Sequence, residues 1–289
     1  MIVVYLNNLS GFADEISSDT TVQFEVLNKL GIKYFEPRGI DGKNISELTV
    51  EEAMQLKAKM DKFGIKASSV GSPIGKVYLD DDFEMHFELF CHVVEIAKIL
   101  EAKYIRIFSF YSRDEWNENS RREVVKRLSR MIDYAKNKNV ILLHENEKDI
   151  YGDTAIRCLD LMQELYCDNF KSVFDPANFV QVGENTLDAY EKLQNYVAYM
   201  HIKDSQKDGK IVPAGEGEGN IEGILSDLFK KGYNGFISLE PHLGSFEGLQ
   251  NLELDDAMLK LPKAGEDTFT IAFNSLSAII NRINNNIQS

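Results

Sequence analysis

Short apolar runs alternate regularly with longer amphipathic stretches, and this alternation limits the fold more than any other feature of the chain. Runs rich in Ile, Val, Phe and Tyr occupy Ile2–Leu6, Lys33–Glu36, Lys66–Val70, Tyr104–Phe108, Val140–Glu145, Ser172–Asp175, Val197–Ile202 and Phe236–Glu240. Each reads as a strand. Between them Thr20–Leu30, Val50–Phe63, Phe83–Leu100, Ser120–Asn137, Thr154–Tyr166 and Ile221–Lys230 read as helices. In the third of these, Phe87, Phe90, Cys91, Val94, Ala97 and Ile99 fall mostly at helical spacing, which marks one buried face rather than a cofactor box. Gly31, Gly64 and Gly232 follow helices where a C-terminal cap favours glycine, and Asp19, Thr49 and Asp153 stand in N-cap positions. Most strand starts lie about 30 to 38 residues apart, the length of one β-loop-α unit.

Eight such units in one chain predict an α/β fold, a parallel (β/α)8 TIM barrel with helices outside. A doubly wound open sheet would want a glycine-rich dinucleotide fingerprint after the first strand, and Asn7-Asn8-Leu9-Ser10-Gly11-Phe12 is not one. The 289 residues would allow two domains, yet no linker or composition shift divides them. A single barrel domain over 1–289 is expected, with an irregular segment at Gly244–Glu266 before a last helix near Phe269–Ile280.

Charge narrows the partners. Lys and Arg number 32 against 46 Asp and Glu, a net charge of −14, which argues against nucleic acid or an anionic membrane as partner. Cys91, Cys158 and Cys167 share no metal-like spacing. The opening residues lack the basic flank and apolar length of a signal peptide, and no run approaches the roughly 20 apolar residues of a membrane span. A cytoplasmic location is expected.

Polar residues gather at the C-terminal ends of the last four strands. VILLHENEKD carries His144, Glu145 and Glu147; SVFDPANF carries Asp175; VAYMHIKD carries His201, Lys203 and Asp204; FISLEPHL carries Glu240 and His242. Barrels build their active sites at this rim. One strand-end carboxylate is ordinarily a loop cap, and a lone histidine there a satisfied structural residue. Four successive ends are harder to explain so, because buried carboxylates repel unless something positive compensates. A divalent cation does that, and three carboxylates with one imidazole suit Mn²⁺, Mg²⁺ or Co²⁺, with Zn²⁺ also compatible.

The set HENE, FDPAN, MHIKD and SLEPH resembles the xylose-isomerase-like barrel superfamily, in its sugar phosphate isomerase/epimerase branch, from the first strand to the eighth. The resemblance implies one divalent metal ion, Mn²⁺ first, held by Glu145, Asp175, His201 and Glu240, with Glu147 as rival to Glu145. It implies a sugar or sugar-phosphate substrate whose proton moves through an enediolate, with Glu145 and Glu240 as acid and base. On the substrate side it implies Glu36 as an acceptor for hydroxyls. Arg38 either forks onto a substrate anion or pairs with Glu36. Lys76 in GSPIGK reaches an anionic substrate or stays a solvated loop lysine, Asn178 and His242 line the pocket, and Lys203 with Asp204 orients His201 or a ligand carboxylate. Pro213–Asn220 (PAGEGEGN) reads as a flexible loop shaping the pocket, since its glutamates oppose a phosphate. Trp116 and Phe110-Tyr111 either wall the site off from water or pack helices. A homodimer is expected.

Three other readings compete. Dehydratases of a cyclic polyol or a dehydroshikimate-like acid share the metal set. Abasic-site endonucleases share the fold but use several metals and further histidines, whereas only five histidines occur here and the third and fourth strands end in Ser69-Val70-Gly71 and Phe108-Ser109-Phe110. A non-catalytic sugar-binding barrel is disfavoured by a complete ligand quartet.

Overall fold

The computed structural model describes residues 7–247 and 261–288. Its elements are β1 (Leu9–Gly11), α1 (Thr20–Lys29), β2 (Tyr34–Phe35), a small hairpin of β3 (Gly39–Ile40) and β4 (Lys43–Asn44), α2 (Val50–Phe63), β5 (Lys66–Ala67), β6 (Val70–Gly71), α3 (Phe83–Ile99), β7 (Tyr104–Ile107), α4 (Glu118–Lys136), β8 (Ile141–Glu145) and α5 (Ala155–Leu165). They continue through β9 (Phe170–Phe174), α6 (Pro176–Gln181), α7 (Thr186–Leu193), β10 (Val197–Ile202), the short β11 (Asp204–Ser205) and β12 (Ile211–Val212), α8 (Ile221–Lys230), β13 (Phe236–Leu239) and α9 (Glu266–Gln288).

Seven strands form one parallel sheet in the order β1-β13-β10-β9-β8-β7-β6. The pair β2-β5 fills the gap between its edges. Glu36 N donates to Gly11 O at 2.9 Å, and Gly71 N donates to Pro37 O at 2.9 Å. The ring therefore closes as a (β/α)8 barrel, with chain ends one to eight meeting through β1 and β13. Among the described residues, closure leaves the barrel sheet itself no exposed edge for another chain to extend.

The core divides into two layers. The larger one lies between strands and helices and includes Phe24, Leu27, Phe90, Val94, Leu128, Met200 and Leu239. A smaller cluster of Leu143, Val173 and Tyr199 fills the barrel interior, with Tyr104, Ile141 and Phe236 packed against it. Helix ends follow local chemistry. Thr49 accepts from Glu52 N in a full capping box at the start of α2, and Gly64 closes that helix at φ 67°. Such a cap stabilises a helix by about 1 kcal/mol.

Several sequence expectations need correction. The run Ile2–Leu6 lies outside the described residues, and the strand that enters the barrel is Leu9–Gly11. The third strand is broken at Ser68-Ser69 into β5 and β6. Thr154, not Asp153, is the N-cap residue of α5, while Asp153 accepts from Arg157 Nε at 2.9 Å. Helices α6 and α7 were not anticipated, and α9 runs well past Ile280. Of the irregular segment, residues 248–260 lie outside the described residues, and its flanks meet where Ser245 bridges Lys263. No helix among the described residues is long and apolar enough to cross a membrane.

Candidate metal centre

Period-two alternation decides which strand residues face the barrel axis. On β10, Met200 and Ile202 join the outer core while Tyr199, His201 and Lys203 face inward. On β8, Leu143 and Glu145 face inward. His144 turns outward, where its Nε2 lies 3.0 Å from Ser109 Oγ. Asp175 and Glu240 immediately follow β9 and β13. As a result Glu145, Asp175, His201 and Glu240, all buried, each bring a ligand atom within 4.8 Å of the others.

The contacts around these four are specific. His201 Nδ1 lies 2.7 Å from Glu145 Oε1 and 3.2 Å from Glu240 Oε2. Asp175 Oδ1 accepts from Asn178 N at 3.0 Å, as N-cap of α6. Asp175 Oδ2 lies 3.0 Å from Lys203 Nζ, though not in hydrogen-bond geometry, and Glu240 Oε2 likewise accepts no hydrogen bond. Burial, reinforced by Glu240 and Glu145 against the opposing Lys203, pushes the Asp175 carboxyl up to about 7. Burial works against a charged His201, but Glu145 and Glu36 outweigh it and hold its pKa well above the usual value.

The surroundings are strongly acidic. Asp14, Glu15, Glu36, Glu145, Glu147, Asp175 and Glu240 cluster with only Arg38, Lys76, Arg106 and Lys203 as fixed cations. Seven carboxyl groups face four fixed cations among the described residues, and burial pushes Glu15 up to about 8 and Asp175 up to about 7, so part of this acidity is offset by protons where no cation offsets it. Asp175 Oδ2 and Glu240 Oε2, buried and without hydrogen bonds, lie 3.0 and 3.7 Å from Lys203 Nζ, and with His201 Nδ1 beside Glu240 they offer a donor set that fits a hard divalent cation.

Glu147 is outside the quartet. Asn146 exchanges hydrogen bonds with the Asp175 backbone, 2.9 Å in each direction, and this turns the chain out of the strand. Glu147 then accepts from Lys76 Nζ at 3.0 Å, so Lys76 is not a solvated loop lysine. Arg38 does not pair with Glu36. It forks onto Asp14 at 2.8 and 3.0 Å and reaches Glu15 and Glu240 at 3.2 Å each. Glu36 instead lies behind His201, accepting from Tyr199 Oη at 2.9 Å. Asn178 donates through Nδ2 to Asn146 O at 2.9 Å, which ties two loops together, while its buried Oδ1 accepts no hydrogen bond.

Lys203 lies against the Asp175 carboxylate, while Asp204 has another task. Its carboxylate accepts from Gly215 N, Gly217 N and Gly219 N at 2.8, 3.1 and 2.9 Å. The glycine loop is thus wrapped around an internal anion and is pinned, not flexible. Phe110 is core at φ 70°, and Trp116 packs edge-on against Tyr151 at 5.2 Å.

A space of about 10 Å³, room for about one water molecule, adjoins the quartet, bounded by Arg38, Lys76, Arg106, Phe108, Glu147 and His242. A larger cavity of about 740 Å³ lies at the other mouth of the barrel, among Tyr34, Tyr104, Tyr196 and Tyr233. Size does not decide between them. Barrel chemistry belongs to the C-terminal strand ends, and among the described residues only the quartet forms a metal-competent cluster. Sequence reasoning missed Asp14, Glu15 and Arg106. Arg106 had a signal, a lone charge inside the apolar strand YIRIF. Its Nε lies 3.3 Å from Glu145 Oε2.

Comparison with known proteins agrees with this fold. The family model described as xylose isomerase-like TIM barrel matches residues 24–260. Among solved structures, the IolI protein with a bound zinc atom superposes with a TM-score of 0.75 at 18% identity, covering 96% of this chain and 99% of that one. The probable 3-DHS dehydratase AsbF of Bacillus anthracis gives 0.71 at 18%, covering 93% and 98%. D-allulose 3-epimerase from Methylomonas sp., in complex with D-allulose, gives 0.71 at 16%, covering 98% and 99%. Likeness at these identities shows the fold alone. No curated protein sequence matches significantly.

Proposed function

The chain belongs to the xylose isomerase-like TIM barrel family, and from that premise we propose that it is a divalent-metal-dependent isomerase or epimerase of a sugar or sugar phosphate. The observation that carries the reading is the convergence of Glu145, Asp175, His201 and Glu240 within 4.8 Å at the C-terminal rim. These four would hold the ion, Mn²⁺ in first place. When bound, it supplies Lewis acidity to the substrate oxygen that becomes negative as an α-proton leaves.

The protein groups do the rest. Glu145 and Glu240 approach His201 from different strands, each with one oxygen toward the centre. Their second oxygens lie 3.3 Å from Arg106 Nε and 3.2 Å from Arg38 Nη1 respectively. One glutamate takes the proton from the α-carbon and the other delivers a proton to the opposite face of that carbon, which inverts the centre; delivery to the former carbonyl carbon instead, with the α-hydroxyl proton passing to the former carbonyl oxygen, moves the carbonyl. Arg38 and Arg106 keep both carboxylates aimed. Phe108 and the Lys76–Glu147 pair line the space beside them. The acidic balance supports a small-molecule partner over nucleic acid, and a cytoplasmic homodimer remains part of the proposal.

The second reading, a dehydratase of a hydroxy acid, is favoured by one feature. Three cations, Arg38, Lys76 and Arg106, border the space and suit a carboxylate-bearing substrate. Elemental analysis with proton exchange in D₂O tests both. With Mn²⁺ added, one ion per chain and deuterium appearing beside the carbonyl of a ketose are expected. Water loss from a cyclic hydroxy acid without ketose exchange would select the dehydratase, and absence of metal binding would overturn both.

A further inference from the structure

We propose that Glu36 is a positioning residue for the metal-binding imidazole: it accepts the Nε2 proton of His201 and thereby presents Nδ1 to the ion. The inference rests on the metal reading above and departs from the substrate-hydroxyl role implied by resemblance. His201 lies between two sets of carboxylates. Its Nδ1 faces Glu145 and Glu240, while Nε2, which makes no hydrogen bond as placed, has Glu36 Oε2 as its carboxylate neighbour at 3.3 Å. A neutral imidazole has one donor and one acceptor nitrogen, so a hydrogen-bond acceptor on one side assigns the lone pair to the other. A carboxylate behind a ligating histidine does this and also holds the ring's orientation.

The geometry around Glu36 suits a fixed part better than a substrate contact. Pro37 restricts Glu36 to extended backbone, and Glu36 N is tied to Gly11 O. Its Oε2 accepts from Tyr199 Oη, which lies 2.8 Å from Ser68 Oγ. Ser68 Oγ in turn donates to Phe35 O at 3.0 Å and lies 2.5 Å from Ser10 Oγ. This polar chain runs through the barrel interior, and every member is 1% exposed or less. Glu36 does not border the small space beside the quartet. Phe12 and Tyr199 meet the His201 ring edge-on, at 5.2 and 5.7 Å, so the ring has little freedom except that set by its two nitrogens.

The test is calorimetric titration of the metal-free protein with Mn²⁺, comparing wild type, Glu36→Gln and Tyr199→Phe. We expect Glu36→Gln to retain one site but to bind about 10- to 100-fold more weakly, with a smaller loss for Tyr199→Phe. Unchanged Mn²⁺ affinity in Glu36→Gln, with weaker sugar binding alone, would assign Glu36 to the substrate and overturn the proposal. No Mn²⁺ binding by wild type would instead remove the metal reading itself. If Glu36→Gln fails to fold, ¹⁵N spectra of Zn²⁺-loaded wild type decide. A protonated Nε2 and a metal-bound Nδ1 on His201 support the assignment, and the reverse pattern overturns it.

Discussion

Glu145 and Glu147 stand two residues apart on one segment, share a face in the sequence, and part company in the structure. Glu145 ends β8 with its carboxylate against His201, whereas Glu147 lies beyond the turn set by Asn146 and holds Lys76. Glu145→Gln should therefore weaken Mn²⁺ binding more than about 100-fold, beyond the range for outer partners of a ligand. Glu147→Gln should leave metal affinity unchanged and raise KM through the released Lys76. Calorimetry on the two variants checks this, and equal metal loss in both would mean that the chain does not turn at Asn146. At this scale the quartet was legible because Glu145, Asp175 and Glu240 stand at the ends of apolar strands, His201 lies one residue before the end of β10, and the four match the motifs of the family they resemble. The partners were not. Arg38 could have met Glu36 or an anion, and its actual clamp by Asp14 and Glu15 depends on a turn, Ala13–Glu15, that no periodicity announces.

Elements were legible where pattern and cap chemistry agree. The bounds Val50–Phe63 and Ile221–Lys230 were read to the residue. They were missed where tertiary contacts override local preference. The strand Leu9–Gly11 carries Ser10 and Gly11, poor strand formers, and forms because β13 pairs with it. Gly11 is required there, since a Cβ would come within 2.7 Å of Phe269 on α9. The loop Pro213–Asn220 was read as flexible because glycines alone do not reveal the carboxylate they enclose. A Cβ at Gly217 would lie 2.3 Å from Asp204 Oδ1 and 2.5 Å from Ser205 O, a clash with backbone that no rotamer relieves. Gly217→Ala should cost about 1–3 kcal/mol in urea unfolding, the scale of strain held by surrounding structure. Gly223→Ala, with nothing within 4 Å, should be neutral or slightly stabilising. Equal effects of the two would show that Asp204 does not organise the loop.

For the whole molecule, eight β/α units predicted a ring, and the ring brings residues from opposite ends of the chain together, as in the contact between Arg38 and Glu240. The same closure buries histidines that must stay neutral. His86 Nε2 accepts from Gly75 N at 2.8 Å, which fixes the loop before Lys76. Burial, aided by nearby Arg127 and opposed by Asp81, lowers its pKa to about 4. Burial alone lowers that of His144 to about 3. Above pH 6.5 both states of the protein hold these rings neutral. Below it the unfolded chain takes up protons that the folded one refuses, so stability falls as pH drops toward the folded values. For His86 this amounts to at most about 3 kcal/mol between pH 6.5 and 4. His86→Gln keeps an acceptor for Gly75 N without a titrating ring, so its unfolding free energy should decline less steeply over that window, while the portion due to His144 persists. The comparison belongs in metal-saturated protein, where the quartet's own protons do not intrude. Parallel pH slopes for wild type and His86→Gln would mean that His86 is solvated in the folded state and that the loop carrying Lys76 is held by something else.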